Sequence, residues 1–464
     1  MKKVWMVGMC LLSGLFLFGC GEQKTITTSV PADRTEIKQT TLTDSEAMIE
    51  NAETNMANVQ EAFVDKWTES VNQVELLLVS NKGIEGGMPK EAIEKGCQAM
   101  CDDLSAGVIS DDVTAYFRLR EIVALTEMCH VGLNYENEDN EPYGGFYSLD
   151  VGWFGDDLYI LCLPKSLESY IGKKVTMIGN RPLDEVLDLL ATVCPVETMS
   201  GKKTNLYCMY PNMLKYLQII DKDATSIPFT VEGENGLETF ELPITKEPAN
   251  DGYFPYKFED MPFTQQMRTE NMRNNENYSY RVLKEHNTIY FQYLSCMESK
   301  TSFNMFFEEM MEEFEKDENL TNLIIDVRFN QGGFRSMLQN QFYKYKDVLK
   351  DKKIYLILGI FTASAGCQVY EDCLQNEFDV TSYGMPTGGA IHNYTEAEHF
   401  SIRQTGLMLN YPLVFDNLPK LQEKLGDVKE SITPDVVVDQ EFDEFIHGTD
   451  SIIERIFADI TAKR

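Results

Sequence analysis

The chain has 464 residues, 43% of them hydrophobic, enough for a sizeable core and for more than one domain. Its 41 basic against 74 acidic residues give a formal charge of −33, which repels a phosphate backbone over most of the surface and excludes nucleic acid as a partner class. The same charge, with no basic phosphate-binding segment, argues against an acyl-CoA substrate, and no residue pattern asks for a cofactor.

Residues 1–20 read as an export signal: Lys2 and Lys3 precede an almost wholly apolar run from Val4 to Phe18, closed by Leu17-Phe18-Gly19-Cys20. That ending resembles a bacterial lipobox, which implies cleavage before Cys20, lipid attachment there, and a membrane-anchored protein facing the extracytoplasmic side. A plain signal peptide or a short anchor are the alternatives. Residues 21–43 are polar and aperiodic, a flexible tether. Nine cysteines remain after Cys10 and Cys20, so at least one thiol stays unpaired. Cys97 and Cys101 have no matching His or Cys pair for a metal site, and no metal is expected.

Residues 44–140 form a helical region. Phe63, Trp67, Val71, Val74, Leu77 and Leu78 make one apolar stripe, and Val113 to Met128 carries a second that ends at Cys129-His130. From 141 to 250 the period shortens to that of strands, at Gly152-Trp153-Phe154, Leu158 to Leu161 and Lys174 to Ile178. A hairpin pairs Phe229 to Val231 with Thr239 to Leu242 around Asn235-Gly236, and Leu183 to Ala191 reads as a helix. Residues 251–285, polar and without a clear period, read as a connector.

From 286 to 464 strand and helix alternate, the pattern of a layered α/β core. Ile289 to Tyr293 and Leu323 to Val327 are strands, and Phe303, Phe306, Phe307, Met310, Met311 and Phe314 mark a helix face between them. Gly332-Gly333 follows the second strand, where backbone can approach a ligand closely. The run Ile354 to Ile360 then leads through Phe361-Thr362-Ala363-Ser364-Ala365 into a helix. This sets the Ser364 hydroxyl among the orphan N–H groups of a helix start, surroundings suited to an oxyanion and equally to an ordinary N-cap. A serine nucleophile needs a base, and five histidines are available: His130, His286, His392, His399 and His447.

These residues resemble the tail-specific, or C-terminal processing, serine peptidases. Ile324-Ile325-Asp326-Val327-Arg328-Phe329-Asn330-Gln331-Gly332-Gly333 is similar to the family's D-L-R-x-N-x-G-G segment, and Thr362-Ala363-Ser364-Ala365 to its nucleophile turn. Tyr383-Gly384-Met385-Pro386-Thr387-Gly388-Gly389 resembles G-E-P-T-G-G, and Ile432-Thr433-Pro434-Asp435-Val436 the closing strand. The resemblance implies a crotonase-like α/β core preceded by a PDZ-like β module at 141–250, and polypeptide substrates. One branch of the family pairs Ser with a Lys after the G-G turn, but no Lys occurs from Gly384 to Asn410. The other branch, similar to the tricorn protease core, uses a His from the N-terminal region, a place that His130 fills. The resemblance thus implies Ser364 as nucleophile, His130 as base and Glu430 or Asp427 as orienting carboxylate. It further implies an oxyanion hole from the backbone of Gly332, Gly333 and Ala365, and substrate contacts at Thr387, Gly388 and Gly389. The family's pattern is altered at Cys129 and Val131, so a catalytically impaired, peptide-binding relative is the competing expectation.

Overall fold

The computed structural model describes residues 42–80, 88–248, 251–391, 393–416, 418–426 and 430–462. Cys20, the signal, nearly all of the tether, and Asp427 lie outside the described residues, and no described helix is long and apolar enough to cross a membrane.

The protein is a mixed α/β fold. Its C-terminal half is built on a six-stranded sheet in the order Val436–Val437, Asp379–Gly384, Lys353–Leu358, Asn322–Asp326, Thr288–Tyr293 and Tyr278–Leu283. The first five strands run parallel; the last pairs antiparallel. Parallel strands covered on both faces read as unbroken apolar runs, and this is why Ile354 to Leu358 shows no alternation. Along them Phe291, Ile325, Leu323, Ile354 and Leu356 face one layer of helices, Phe303–Lys316, Ser336–Lys344, Ala365–Gln375 and Pro419–Leu425. The intervening Tyr290, Ile324, Tyr355 and Ile357 face Phe263–Asn274 and Ser451–Ala462 on the other side.

The stretch 251–285 is therefore no connector: it contributes the helix Phe263–Asn274 and the edge strand Tyr278–Leu283. The helix shows no apolar stripe because it buries Thr264, Gln265, Arg268, Thr269 and Asn271, paired rather than apolar. Asn271 donates to Ser279 and Gln292, and Thr264 donates to Asp450. Buried polar groups are tolerated when bonded, and the hydrophobic period disappears.

The N-terminal helices Leu42–Val79, Lys90–Ser105 and Asp112–Ala124 share one core with the four-stranded sheet of Val175–Ile178, Arg181–Pro182, Ser226–Gly233 and Gly236–Pro243. Trp67, Val71, Val74 and Leu78 of the expected stripe are fully buried in it. That core also takes in Ile402, Leu407 and Leu409, from the long hairpin of Asn393–Ile402 and Leu407–Asp416. The hairpin thus reaches from the C-terminal half over the N-terminal helices, and Gly132–Tyr135 pairs antiparallel with it, Gly132 opposite Asn410 and Tyr135 opposite Leu407.

A buried charge cluster closes the far face of the large sheet. The Arg328 guanidinium contacts Asp326 at 2.8 Å and Asp450 at 3.0 Å, while Tyr290 donates to Asp326 at 2.7 Å. Asp450 also accepts from the Ile452 and Ile453 amides, capping the last helix. The aspartate–arginine pair after the second strand is structural. Asp450→Ala leaves Arg328 buried beside a single carboxylate and removes a helix cap, and should lower stability by about 3–5 kcal/mol. The shift is measured as the loss in urea-unfolding midpoint at unchanged slope.

Candidate active site

Asn330 fastens the two glycine-flanked turns of the core together. Its side-chain amide donates to the Tyr293 carbonyl at 3.0 Å, its Oδ1 accepts from the Gly332 amide at 2.8 Å, and its own carbonyl accepts from the Ala363 amide at 3.0 Å. Thr362 adds a bond to the Val327 carbonyl at 2.8 Å. The turn carrying Ser364 is thereby tied on both sides to the turn carrying Gly332-Gly333.

Ser364 has φ 50° and ψ −128°, a conformation rarely adopted by a residue with a side chain. It occupies the N-cap position of Ala365–Gln375, yet its side chain makes no capping hydrogen bond. Its Oγ instead lies 3.1 Å from His130 Nε2, across 234 positions of sequence. The strained backbone aims the hydroxyl away from the helix it could cap. Strain of this kind persists where the surroundings over-determine it, and the tight bonding around Asn330 does so here.

His130 does not close a helix. Asp112–Ala124 ends earlier, and Glu127, at φ 52°, turns the chain so that His130 lies in a bend just before the strand Gly132–Tyr135. Of the other histidines, His286 stacks on Phe457, His399 and His447 are exposed, and His392 is outside the described residues.

Glu430 is exposed, and its backbone carbonyl accepts from Ile391. The carboxylate beside the histidine is a different one, Glu197. Cys129 Sγ is 3.3 Å from His130 Nδ1, and ligating atoms of Cys129, His130 and Glu197 all lie within 4.8 Å of one another. Glu197 Oε1 accepts from the Cys129 amide at 3.2 Å and Oε2 from the Ala390 amide at 3.3 Å, with the Cys129 sulfur within 4.8 Å. Burial raises the Glu197 carboxyl above its ordinary range against the pull of these donors. Burial, with Glu197 adjacent, also holds the Cys129 thiol well above its usual value, although the residue has a face open to solvent. The sulfur thus lies between a carboxylate and an imidazole, in surroundings that disfavour its thiolate form.

Sequence alone gave no handle on Glu197. It stands in the loop Cys194-Pro195-Val196-Glu197-Thr198, with no motif around it, and reaches the site because Thr198 clamps the neighbouring loop: its Oγ1 donates to the Gly388 carbonyl at 2.8 Å and accepts from Gly201 N–H at 2.9 Å.

The second glycine turn is held against the nucleophile strand. Gly389 N–H donates to Thr362, Thr387 Oγ1 donates to the Gly389 carbonyl at 2.7 Å and accepts from Ile432 N–H at 2.8 Å. A Cβ on Gly388 would meet the Ile360 carbonyl oxygen at 2.1 Å, and one on Gly389 would meet Ala363 Cα at 2.8 Å. These glycines are required for the close approach of one turn to the other. Asp435 of the closing strand accepts from the Ser382 amide and from Tyr370, and Cys367 is buried under the turn.

Of the three amides expected around an oxyanion, Gly332 N–H is taken by Asn330, whereas neither Gly333 N–H nor Ala365 N–H has an acceptor among the described residues. Gly332 serves by its lack of a side chain: a Cβ there would lie 2.7 Å from Ser364 Cβ and 3.0 Å from Ala365 N. Its φ of 111° also disfavours any side chain.

No protein-family model matches the sequence, and no curated protein matches it. Among solved structures, mature CPAF complexed with lactacystin superposes with a TM-score of 0.58 at 9% identity, over 86% of this chain and 97% of that one. Mature CPAF alone gives 0.56 at 8% identity, over 85% and 96%. The tricorn protease aligns over 86% of this chain and 37% of its own, at 13% identity and a TM-score of 0.38. At these identities the likeness to CPAF establishes a shared fold. This chain has the CPAF fold over nearly the whole CPAF length, around a serine–histidine pair of its own.

Gly332→Ala should displace Ser364 from His130. Expected is a folded protein, by circular dichroism, whose Ser364 no longer reacts with a serine-directed phosphonate; an undiminished reaction rate would refute the packing described.

Proposed function

We propose that the chain is a serine endopeptidase of the tail-specific type, hydrolysing peptide bonds in unfolded or C-terminal protein segments. The observation that carries the reading is the 3.1 Å contact between Ser364 Oγ and His130 Nε2, made with the serine in a strained, non-capping conformation at a helix start. The motif resemblance and the shared fold support it. In finer detail, the six-stranded half is read as a crotonase-like core and the 141–250 segment as a PDZ-like module that holds the substrate chain. Lipid on Cys20 would place the enzyme on the outer side of a cell membrane.

For His130 to act as a base, Nε2 must offer its lone pair to Ser364, so Nδ1 carries the proton and donates it toward Cys129 Sγ. The thiol hydrogen in turn points to the Glu197 carboxylate. Ser364 Oγ attacks the peptide carbonyl as its proton passes to Nε2, and the resulting imidazolium is stabilised through the thiol by Glu197. The tetrahedral oxyanion is received by the Ala365 and Gly333 amides, strengthened by the positive end of the helix Ala365–Gln375. Nε2 then protonates the leaving amine, and water, activated by the same histidine, releases the acyl group from Ser364.

The mechanism is tested by labelling with a serine-directed phosphonate and by cleavage of an unfolded polypeptide. Ser364→Ala should abolish both, and His130→Ala should reduce the rates on the order of 10²–10⁴-fold. Cys129→Ser, which keeps a donor and acceptor at the relay position, should retain more activity than Cys129→Ala. A phosphonate adduct formed independently of Ser364, or equal rates with and without His130, would overturn it.

A further inference from the structure

Cys129, His130 and Glu197 have a second capacity that the proposed chemistry does not use. Their sulfur, imidazole nitrogen and carboxylate oxygen lie within 4.8 Å of one another, and the Sγ–Nδ1 separation is 3.3 Å. In a tetrahedral zinc site with bonds of about 2.0–2.3 Å, neighbouring ligand atoms are roughly 3.3–3.8 Å apart, so a small inward movement of one side chain completes the geometry. Three protein ligands with an open fourth position also match how zinc is held where the shell is not closed.

We propose that this trio is an inhibitory binding site for a thiophilic divalent cation such as Zn²⁺. The inference rests on the peptidase reading, because what the cation would silence is the serine–histidine pair. The cation takes the Nδ1 lone pair of His130, the Cys129 sulfur and one Glu197 oxygen. The thiol releases its proton to solvent as the metal–sulfur bond forms, and the imidazole passes to the tautomer with hydrogen on Nε2. Thiolate and carboxylate together neutralise the two positive charges, which suits a half-buried site. Nε2 then carries a hydrogen and can only donate to Ser364; it no longer accepts the proton of the attacking hydroxyl. The metal need not touch the nucleophile to stop it.

Access and retention are both provided. Cys129 is an exposed residue although its thiol is packed, so the cation enters as the side chain swings, and Glu197 is fixed by the Cys129 and Ala390 amides. A serine in place of Cys129 would serve the relay as well or better, since S–H is a weak donor, but would bind a soft cation poorly.

The test separates the site from the activity. Cobalt(II) is titrated into chelator-treated Ser364→Ala protein, whose altered residue is not a ligand. One equivalent should bind with a thiolate-to-cobalt charge-transfer band, lost in Cys129→Ser, which preserves the fold, and displaced by Zn²⁺. In the unaltered protein, saturating Zn²⁺ should slow phosphonate labelling of Ser364 roughly 10²-fold, the scale on which a general base contributes, and chelator should restore it. Absence of the band, its survival in Cys129→Ser, or faster labelling with Zn²⁺ would overturn the proposal. If the metal-free protein neither labels nor cleaves, the peptidase reading and the silencing role fail with it, while the cobalt band still tells whether the site exists.

Discussion

The contact between Ser364 and His130 depends on the antiparallel pairing of Gly132–Tyr135 with the start of Leu407–Asp416, together with the bonds of Thr198 to Gly388 and of Glu197 to Ala390. His130 belongs to the N-terminal helical core and Ser364 to the six-stranded sheet, and a 3.1 Å contact between them tolerates little relative movement. The ladder is four residues long and is backed by Leu407 and Leu409, buried with the helices, and by Leu133. The strand following His130 is thus anchored in the same core that anchors its partner. Non-local strand pairing must be reached after long loop closure, so formation of the site belongs to a late stage of assembly, after both halves have their cores.

On the serine side the constraint is steric rather than cohesive. Three glycine-bearing turns converge where Gly332, Gly366 and Gly389 leave no room for a Cβ, with closest approaches of 2.7, 2.3 and 2.8 Å to neighbouring atoms. Close approach of backbone to backbone gives Asn330 and Thr362 the reach to bond across turns, and those bonds hold Ser364 in a conformation it would otherwise leave. The strain, of order 1–3 kcal/mol for such a residue, is small beside the network that imposes it. Among the described residues the Ala365 amide at the helix start has no acceptor.

How far the site could be read from sequence follows the same division. Strands such as Asn322–Asp326 and Lys353–Leu358 were legible because burial on both faces turns them into plain apolar runs, and the helix Phe303–Lys316 because its aromatic stripe has helical spacing. The turns were legible through their glycines. The helix Phe263–Asn274 was not, since its buried residues are polar and satisfied by distant partners, a fact only the tertiary structure contains. Glu197 was hidden for a related reason: its position beside His130 is fixed by Thr198 bonding to Gly388, 190 residues away, so local sequence carries no trace of it. Glu430 was a reasonable expectation by order along the chain, whereas the neighbouring carboxylate comes from the middle of the sequence.

Cys129 is where the two sets of constraints meet. In the proposed relay, a thiol between a carboxylate and an imidazole must stay protonated to pass a hydrogen bond, and burial beside Glu197 favours that state. A thiol makes weaker hydrogen bonds than a hydroxyl, so the coupling between Glu197 and His130 is softer than an oxygen would give. Sulfur also brings affinities that oxygen lacks. Burial beside Glu197 disfavours the thiolate, the reactive form, but a cation that can displace the proton meets a soft ligand already flanked by nitrogen and carboxylate. Under the proposed mechanism, the features that would make Cys129 a workable relay are therefore also the ones that would open His130 to control.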